Sequence, residues 1–295
     1  MNFAILTKTD ATKLLLSIKG RDKSKNQEKI TQNPGHFLVS MSFDLGNTTE
    51  QVEILDDRAI IRGEVVLAGE LEKLKEDTFY TIVNGELKSI DFFGENTKLV
   101  YKLKPTKDWP TLTLSSVPMH RFKTVSPKTS AQLMTGEILP IRGKVLDTCC
   151  GLGYTSILSA QKETCDEAVV FEIDENVLRI AEYNPYSKEL FTNKKIKLHQ
   201  ESVFSGIKKL QSNYFDKILH DPPTISFAKE LYSDEFYREL FRVIKKGGIL
   251  YHYCPNPGKT KGTHYYPTLI KMLSRNGFSE CKYNPKSSGV TAKKK

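Results

Sequence analysis

The sequence predicts an α/β protein in two parts. A small β-rich domain covers residues 1–115, and a central, mostly parallel sheet with helices on both faces covers residues 116–295. Two observations carry this reading. From residue 144 onward, short apolar runs alternate with stretches of helical length, the pattern of strand–helix–strand units. Before residue 115, alternating apolar runs follow one another across tight turns, and only residues 71–75 read as helix.

In the first part, H-F-L-V-S-M-S-F-D (36–44) and Q-V-E-I-L (51–55) alternate, and Asp56-Asp57 turns the chain into R-A-I-I-R. T-F-Y-T-I-V ends at Asn84-Gly85, a hairpin signal, before L-K-S-I-D-F-F and T-K-L-V-Y-K-L. The charged stretch 21–29 reads as an exposed loop or a frayed helix, and K-P-T-K-D-W-P (104–110) as a linker or corner. In the second part a helix follows Ser130. Strands K-V-L-D, A-V-V-F-E, I-K-L-H, K-I-L-H-D and G-I-L-Y-H-Y then alternate with helices near 154–162, 175–183, 204–211, 234–245 and 264–276.

A hydrophobic content of 39% with 27% charged residues describes a soluble globular chain. No apolar run approaches the roughly 20 residues that span a bilayer. The N-terminus has no charged region ahead of its apolar residues, so no signal peptide and a cytoplasmic location are expected. Five cysteines, none in a C-x-x-C pair, exclude a disulfide framework and give no reason to expect a metal. The net charge of +9 fits either a phosphate-rich partner or a lysine-rich proteome.

Four motifs fall at the carboxyl ends of the expected parallel strands, the edge where open α/β sheets bind ligands. In V-L-D-T-C-C-G-L-G-Y-T-S, a buried strand ends at Asp147. A loop with Cys149, Gly151 and Gly153 follows, then a helix that Thr155 could cap. In V-V-F-E-I-D, a strand ends in Glu172, one strand–helix–strand step later, where a carboxylate accepts hydrogen bonds from both ribose hydroxyls. In H-Q-E-S-V-F, Glu201 or Ser202 faces an adenine amino group with Val203 on the ring, or Ser202 is only a helix cap. The fourth strand ends in Asp221-Pro222-Pro223, which offers carbonyls but no N–H donors.

D-x-C-x-G-x-G, an acid ending the second strand and D-P-P ending the fourth resemble the class I S-adenosylmethionine-dependent methyltransferases, in their amino-methyltransferase branch. Longer segments, among them H-D-P-P-T-I-S, Y-H-Y-C-P-N-P-G and V-P-M-H-R, resemble an archaeal family of RNA amino-methyltransferases across most of the chain. The resemblance implies a Rossmann-like catalytic domain and S-adenosylmethionine as cofactor. The cofactor would be held by Asp147, Cys149, Gly151, Gly153, Tyr154, Thr155, Glu172, Ile173, Glu201, Ser202, Val203 and Asp221. It implies an RNA partner, best rRNA, methylated on the 4-amino group of cytidine, with the N-terminal domain helping to hold it. Thr224 stands where that branch has an aromatic, so Phe227 or Tyr232 is expected to stack on the base instead. His120, Arg121 and His252 are the other expected substrate contacts.

Catalysis is assigned to Asp221, Pro222 and Pro223. The Asp221 carboxylate and the Pro222 carbonyl would accept from the amine hydrogens, freeing the nitrogen lone pair to attack a sulfonium methyl. Other amine acceptors fit the same corner: a guanosine or adenosine amine in tRNA, or a protein glutamine. A polyamine aminopropyltransferase fits it too, but needs several acids to hold a polycation, and within the motif Asp221 has few acidic neighbours. A non-enzymatic RNA-binding protein is the remaining reading.

Overall fold

The protein is described by a computed structural model that covers residues 3–20, 28–29, 36–254 and 265–295. The chain divides into two compact units: residues 1–119 with 182–185, and residues 120–181 with 186–295. The basic stretch 256–261 lies outside the described residues, as does most of the charged stretch 21–29.

The first unit opens with helix α1 (Lys8–Ile18), which the sequence reading missed. Its signal is local. The Thr7 hydroxyl accepts from the Asp10 N–H at 3.2 Å and the Asp10 carboxylate accepts from the Thr7 N–H at 2.9 Å, a capping box. Strands β1 (Glu28–Lys29), β2 (His36–Met41), β3 (Glu50–Leu55), β4 (Arg58–Ile61) and β5 (Glu64–Leu67) form an antiparallel meander in that order. After the short α2 (Ala68–Glu72) come the hairpin β6 (Tyr80–Val83) and β7 (Glu86–Ser89). Asn84 and Gly85 both take positive φ, 54° and 77°, as that turn requires. A last sheet holds β8 (Asp91–Gly94), β9 (Leu99–Lys104), β10 (Thr111–Leu114) and β11 (Val117–Pro118). Of the two readings of this stretch the corner holds and the linker does not: residues 105–110 join β9 to β10 within one sheet, pinned by the Thr106 hydroxyl on the Trp109 carbonyl at 2.7 Å.

The second unit begins with α3 (Pro127–Gly136), capped by the Ser126 hydroxyl on the Thr129 N–H. Then follow β12 (Gly143–Asp147), α4 (Tyr154–Ala160), β13 (Cys165–Phe171), α5 (Glu175–Tyr183), α6 (Lys188–Thr192), β14 (Ile196–His199) and α7 (Val203–Gly206). The remainder is β15 (Phe215–His220), α8 (Asp234–Val243), β16 (Ile244–Tyr253), α9 (Tyr266–Arg275), β17 (Phe278–Asn284) and β18 (Gly289–Lys294). The sheet order is β14-β13-β12-β15-β16-β18-β17, with the first five strands parallel and β18 antiparallel to both neighbours. This is the doubly wound, Rossmann-like sheet the sequence predicts. Its strand order reverses beside β12.

Adjacent residues on the central strands enter opposite cores, because side chains alternate across a sheet. Leu146, Phe171, Ile218 and Leu250 pack on one face, and Val145, Val170, Leu219 and Tyr251 on the other. That is why these strands read as continuous apolar runs. On α8 the buried set Phe236, Tyr237, Leu240 and Val243 makes one stripe, with Asp234 and Glu235 in the first turn. Met134 is core, whereas Met119 is exposed.

Gly289 shows how tightly β18 meets β16. A Cβ there would overlap the ring of Tyr251, itself fully buried with its hydroxyl on the Ser287 carbonyl at 2.9 Å. Gly289→Ala is expected to cost about 1–3 kcal/mol, the usual penalty of overpacking. Thermal melting should show it as a fall in Tm of roughly 2–12 °C, at about 2–4 °C per kcal/mol for a domain of this size. Among the described residues, no helix is long and apolar enough to cross a membrane, and no group of three or more His, Cys, Asp or Glu could hold a metal ion.

Candidate active site

The loop after β12 is built around Asp147. Its Oδ2 accepts from the Thr155 hydroxyl at 2.6 Å and the Ser156 hydroxyl at 2.7 Å. Its Oδ1 is buried with no hydrogen-bond partner, although the nearby Cys149 N–H lends it some favourable field. Burial raises the Asp147 pKa, and the two hydroxyls hold it back. Thr155 therefore serves the carboxylate and does not cap α4. The cap position is Gly153, at φ 80°, where a Cβ would press on Leu190. Tyr154 and Thr155 are buried.

Glu172, at the end of β13, crosses to this loop. Its Oε2 accepts from the Gly151 N–H at 3.0 Å and its Oε1 from the Asp174 N–H at 2.9 Å. Burial pushes its pKa up to about 7 against those N–H groups. Beside it Ile173 leaves 67% of its surface exposed, an apolar face in the open next to a buried acid. After β14, Glu201 is ion-paired to Lys209 at 2.6 Å. Ser202 makes no side-chain cap bond, and Val203, expected against a ring, is buried in the core.

Asp221 follows β15, with Pro222 buried and Pro223 exposed. The Pro223 carbonyl accepts from the Tyr232 hydroxyl at 2.7 Å. Protein crowds the half-buried Asp221, and its pKa is raised to about 7 by that burial first and by the charge of Asp147 second. Its own charge raises the pKa values of Tyr232, Tyr251 and Tyr253, after burial, which sets those phenols around it. Cys149 feels Glu172, Asp147 and Asp221 together, with burial the larger cause of its raised pKa. Three carboxylates from three neighbouring strands thus converge on one place, although no two are close in sequence.

Several expected substrate contacts lie elsewhere. Tyr232 is 9% exposed, and its hydroxyl clamps the corner, so it is not free to stack on a ligand. His252 is fully buried, its Nδ1 on the Tyr253 carbonyl at 2.7 Å and its Nε2 on the Tyr237 hydroxyl at 3.1 Å, and it cannot reach a substrate. Phe227 is 73% exposed and available. Thr224 is exposed, its hydroxyl bonded to Ser226 at 3.0 Å. His120 lies against Tyr154 with ring centroids 5.1 Å apart, and burial lowers its pKa to about 4. It is therefore neutral near pH 7 and carries no charge for a phosphate. Arg121 donates to the Lys286 carbonyl at 3.4 Å, and its charge reaches Tyr253. The sequence reading missed Ser156 and Thr148, whose hydroxyls act on partners that only the fold brings near.

Residues 155–284 match the model of the spermine/spermidine synthase domain. A polyamine aminopropyltransferase of Prochlorococcus marinus is 32% identical over 109 residues, covering 35% of this chain and 37% of that relative. One from Clostridium acetobutylicum is 29% identical over 117 residues, covering 39% of this chain and 41% of that relative. The chain thus spans under half the length of these two relatives. The solved spermidine synthase of Thermotoga maritima has a TM-score of 0.54 at 14% identity, covering 93% of this chain and 82% of that one, a likeness of fold.

These findings correct four expectations. The family resemblance runs to the spermine/spermidine synthase domain and not to the RNA amino-methyltransferases, whose fold is only distantly shared. RNA modification and rRNA processing, an RNA partner, and S-adenosylmethionine as methyl donor fall with it. The comparisons favour the aminopropyltransferase alternative. The uncharacterized protein MJ1233 of Methanocaldococcus jannaschii is 36% identical over 265 residues, covering 87% of this chain and 89% of its own, and this chain belongs to its family.

Proposed function

We propose that the protein is an aminopropyltransferase, which moves the aminopropyl group of decarboxylated S-adenosylmethionine onto an amine of a polyamine such as putrescine or spermidine. The observation that carries this is Asp221, a crowded carboxylate at the end of β15 whose pKa is raised to about 7. A polyamine nitrogen is protonated in water and has no free lone pair until a base takes a proton. A carboxylate poised near neutrality does that, and general-base catalysis of this kind is worth about 10²–10⁴ in rate. The amine lone pair then forms an N–C bond to the methylene beside the sulfonium. The C–S bond breaks and its electrons leave with the neutral thioether.

The remaining acids support the same reading. Glu172 has two oxygens already oriented by backbone N–H groups, with acceptor capacity left for the donor's ribose hydroxyls. Asp147, Glu172 and Asp221 make the site anionic, which suits a sulfonium donor and a cationic acceptor. The scarcity of acids near Asp221 in the sequence is made good by neighbouring strands.

The test incubates the protein with decarboxylated S-adenosylmethionine and putrescine or spermidine, and separates the products by chromatography. A new polyamine one aminopropyl unit longer or branched is expected. Failure of that transfer, with methyl transfer from intact S-adenosylmethionine instead, would overturn the proposal. Glu172→Ala is expected to weaken donor binding at least tenfold by calorimetry, the loss of two charge-assisted hydrogen bonds being worth about 1.5–3 kcal/mol each at most.

A further inference from the structure

A buried hydrogen-bond chain joins the two halves of this site. The Thr148 Oγ1, one residue after Asp147, lies 2.7 Å from His220 Nδ1. His220 Nε2, one residue before Asp221, lies 3.3 Å from the Leu231 carbonyl. A carbonyl can only accept, so Nε2 carries the proton and Nδ1 is the bare nitrogen that accepts from the Thr148 hydroxyl. Leu231 directly precedes Tyr232, whose hydroxyl holds the Pro223 carbonyl at 2.7 Å. Thr148 and His220 are 1% and 0% exposed, so neither bond competes with water. Edge-on to the His220 ring, at 4.4 Å between centroids, stands His252, itself fixed by Tyr237 and the Tyr253 carbonyl. Pro222 and Pro223 have no N–H with which to anchor their own corner. The corner therefore takes its position from His220 on one side and Tyr232 on the other.

We propose that His220 is a positioning residue that couples the donor loop at Thr148 to the acceptor corner at Asp221–Pro223, so that the base and the donor carbon are held in one register. This rests on the aminopropyl-transfer reading for its kinetic consequence, though not for the coupling itself. A displacement of about 1 Å at a reacting centre costs on the order of 10²-fold in rate, so loosening this chain acts on turnover more than on folding.

Thr148→Val keeps the side chain's shape and removes the hydroxyl. His220→Phe keeps the ring's bulk and removes both bonds. Each is measured for kcat, acceptor KM, donor Kd by calorimetry, Tm, and hydrogen–deuterium exchange of the segment 221–233. Thr148→Val is expected to lower kcat at least tenfold with donor Kd within threefold of wild type, and to speed exchange in 221–233, far from the substituted residue in sequence. The double variant is expected to be no worse than His220→Phe alone, the non-additivity of one shared chain. If Thr148→Val and His220→Phe lower Tm but leave kcat, KM and the exchange of 221–233 within twofold of wild type, the coupling is overturned. A wild type that transfers no aminopropyl group overturns the proposed function instead, and the exchange measurement then decides the coupling alone.

Discussion

Asp221→Asn is expected to lower aminopropyl transfer about 10³-fold while donor binding stays within a few-fold, the loss assigned to a general base. It is also expected to raise Tm at pH 8. The two outcomes have one cause. The folded pKa of Asp221 stands at about 7, above its ordinary 3.8. The folded protein therefore holds this proton more tightly than the unfolded chain, and the resulting stability is fully present below pH 3.8. It is lost as pH rises toward 7, and above that the fold carries a charge it disfavours. Asparagine carries none. The Tm difference between variant and wild type should thus be near zero at pH 4, grow between pH 4 and 7, and level off above. In wild type, kcat/KM should climb over the same range as the base ionises, and that limb should vanish in the variant. A variant that keeps its activity, or is less stable at pH 8, would remove Asp221 from the role of base.

Lys294→Met is expected to be the most damaging substitution away from the site, at about 2–4 kcal/mol, because it strands buried acceptors. The ammonium is 8% exposed and donates to the Asn213 side chain at 2.8 Å, the Phe241 carbonyl at 2.6 Å and the Ile244 carbonyl at 2.9 Å. The Phe241 carbonyl is among the last of α8 and the Ile244 carbonyl belongs to the residue directly after it, so the cation serves the end of the helix. Burial lowers its pKa, and the three oxygens, with the Phe241 ring 4.6 Å from the ammonium, compensate it. Its neighbour makes the control. Lys293 pairs with Glu280 at 2.8 Å, but the two side chains are 44% and 45% exposed. Lys293→Met should therefore change stability by no more than about 0.5 kcal/mol. Chemical denaturation of both variants tests the contrast. Equal losses would refute the account of Lys294.

The strand ends of the second unit were legible because both faces of its sheet are covered. Alternate residues such as Val145 and Leu146 enter opposite cores, so each strand is a bare apolar run with an unmistakable polar end. Asp147, Glu172 and Asp221 were found that way. Helix α1 was not, since its only strong signal is a cap of two side chains and its buried stripe is Ala11, Leu14 and the polar Ser17. Lys245, read as the end of a helix, lies in β16 instead, near Gly247, whose φ of 75° bends the strand. Tyr232 and His252 were misplaced because a sequence gives their positions on the chain and not the direction of their rings. The proposed reaction was hidden for a chemical reason. Methyl and aminopropyl transfer attack the same kind of carbon, next to a sulfonium, and share the same loop and corner. What separates them is the number of acids around the acceptor, and those acids sit on different strands.

The insertion of β18 between β16 and β17 sets an order of events in folding. Leu250 pairs with Ala292 and Ser279 with Lys293, so β16 and β17 are never neighbours. Until residues 289–294 arrive, β16 is an open edge that carries Leu250 and Tyr251, both fully buried at the end. An unpaired apolar edge of this kind invites pairing with another chain. The parallel core β14-β13-β12-β15-β16 can assemble from what precedes it, but its last strand must slide into a slot already bordered by α9 and β17. Refolding should therefore run through a late, long-range step whose yield falls as protein concentration rises.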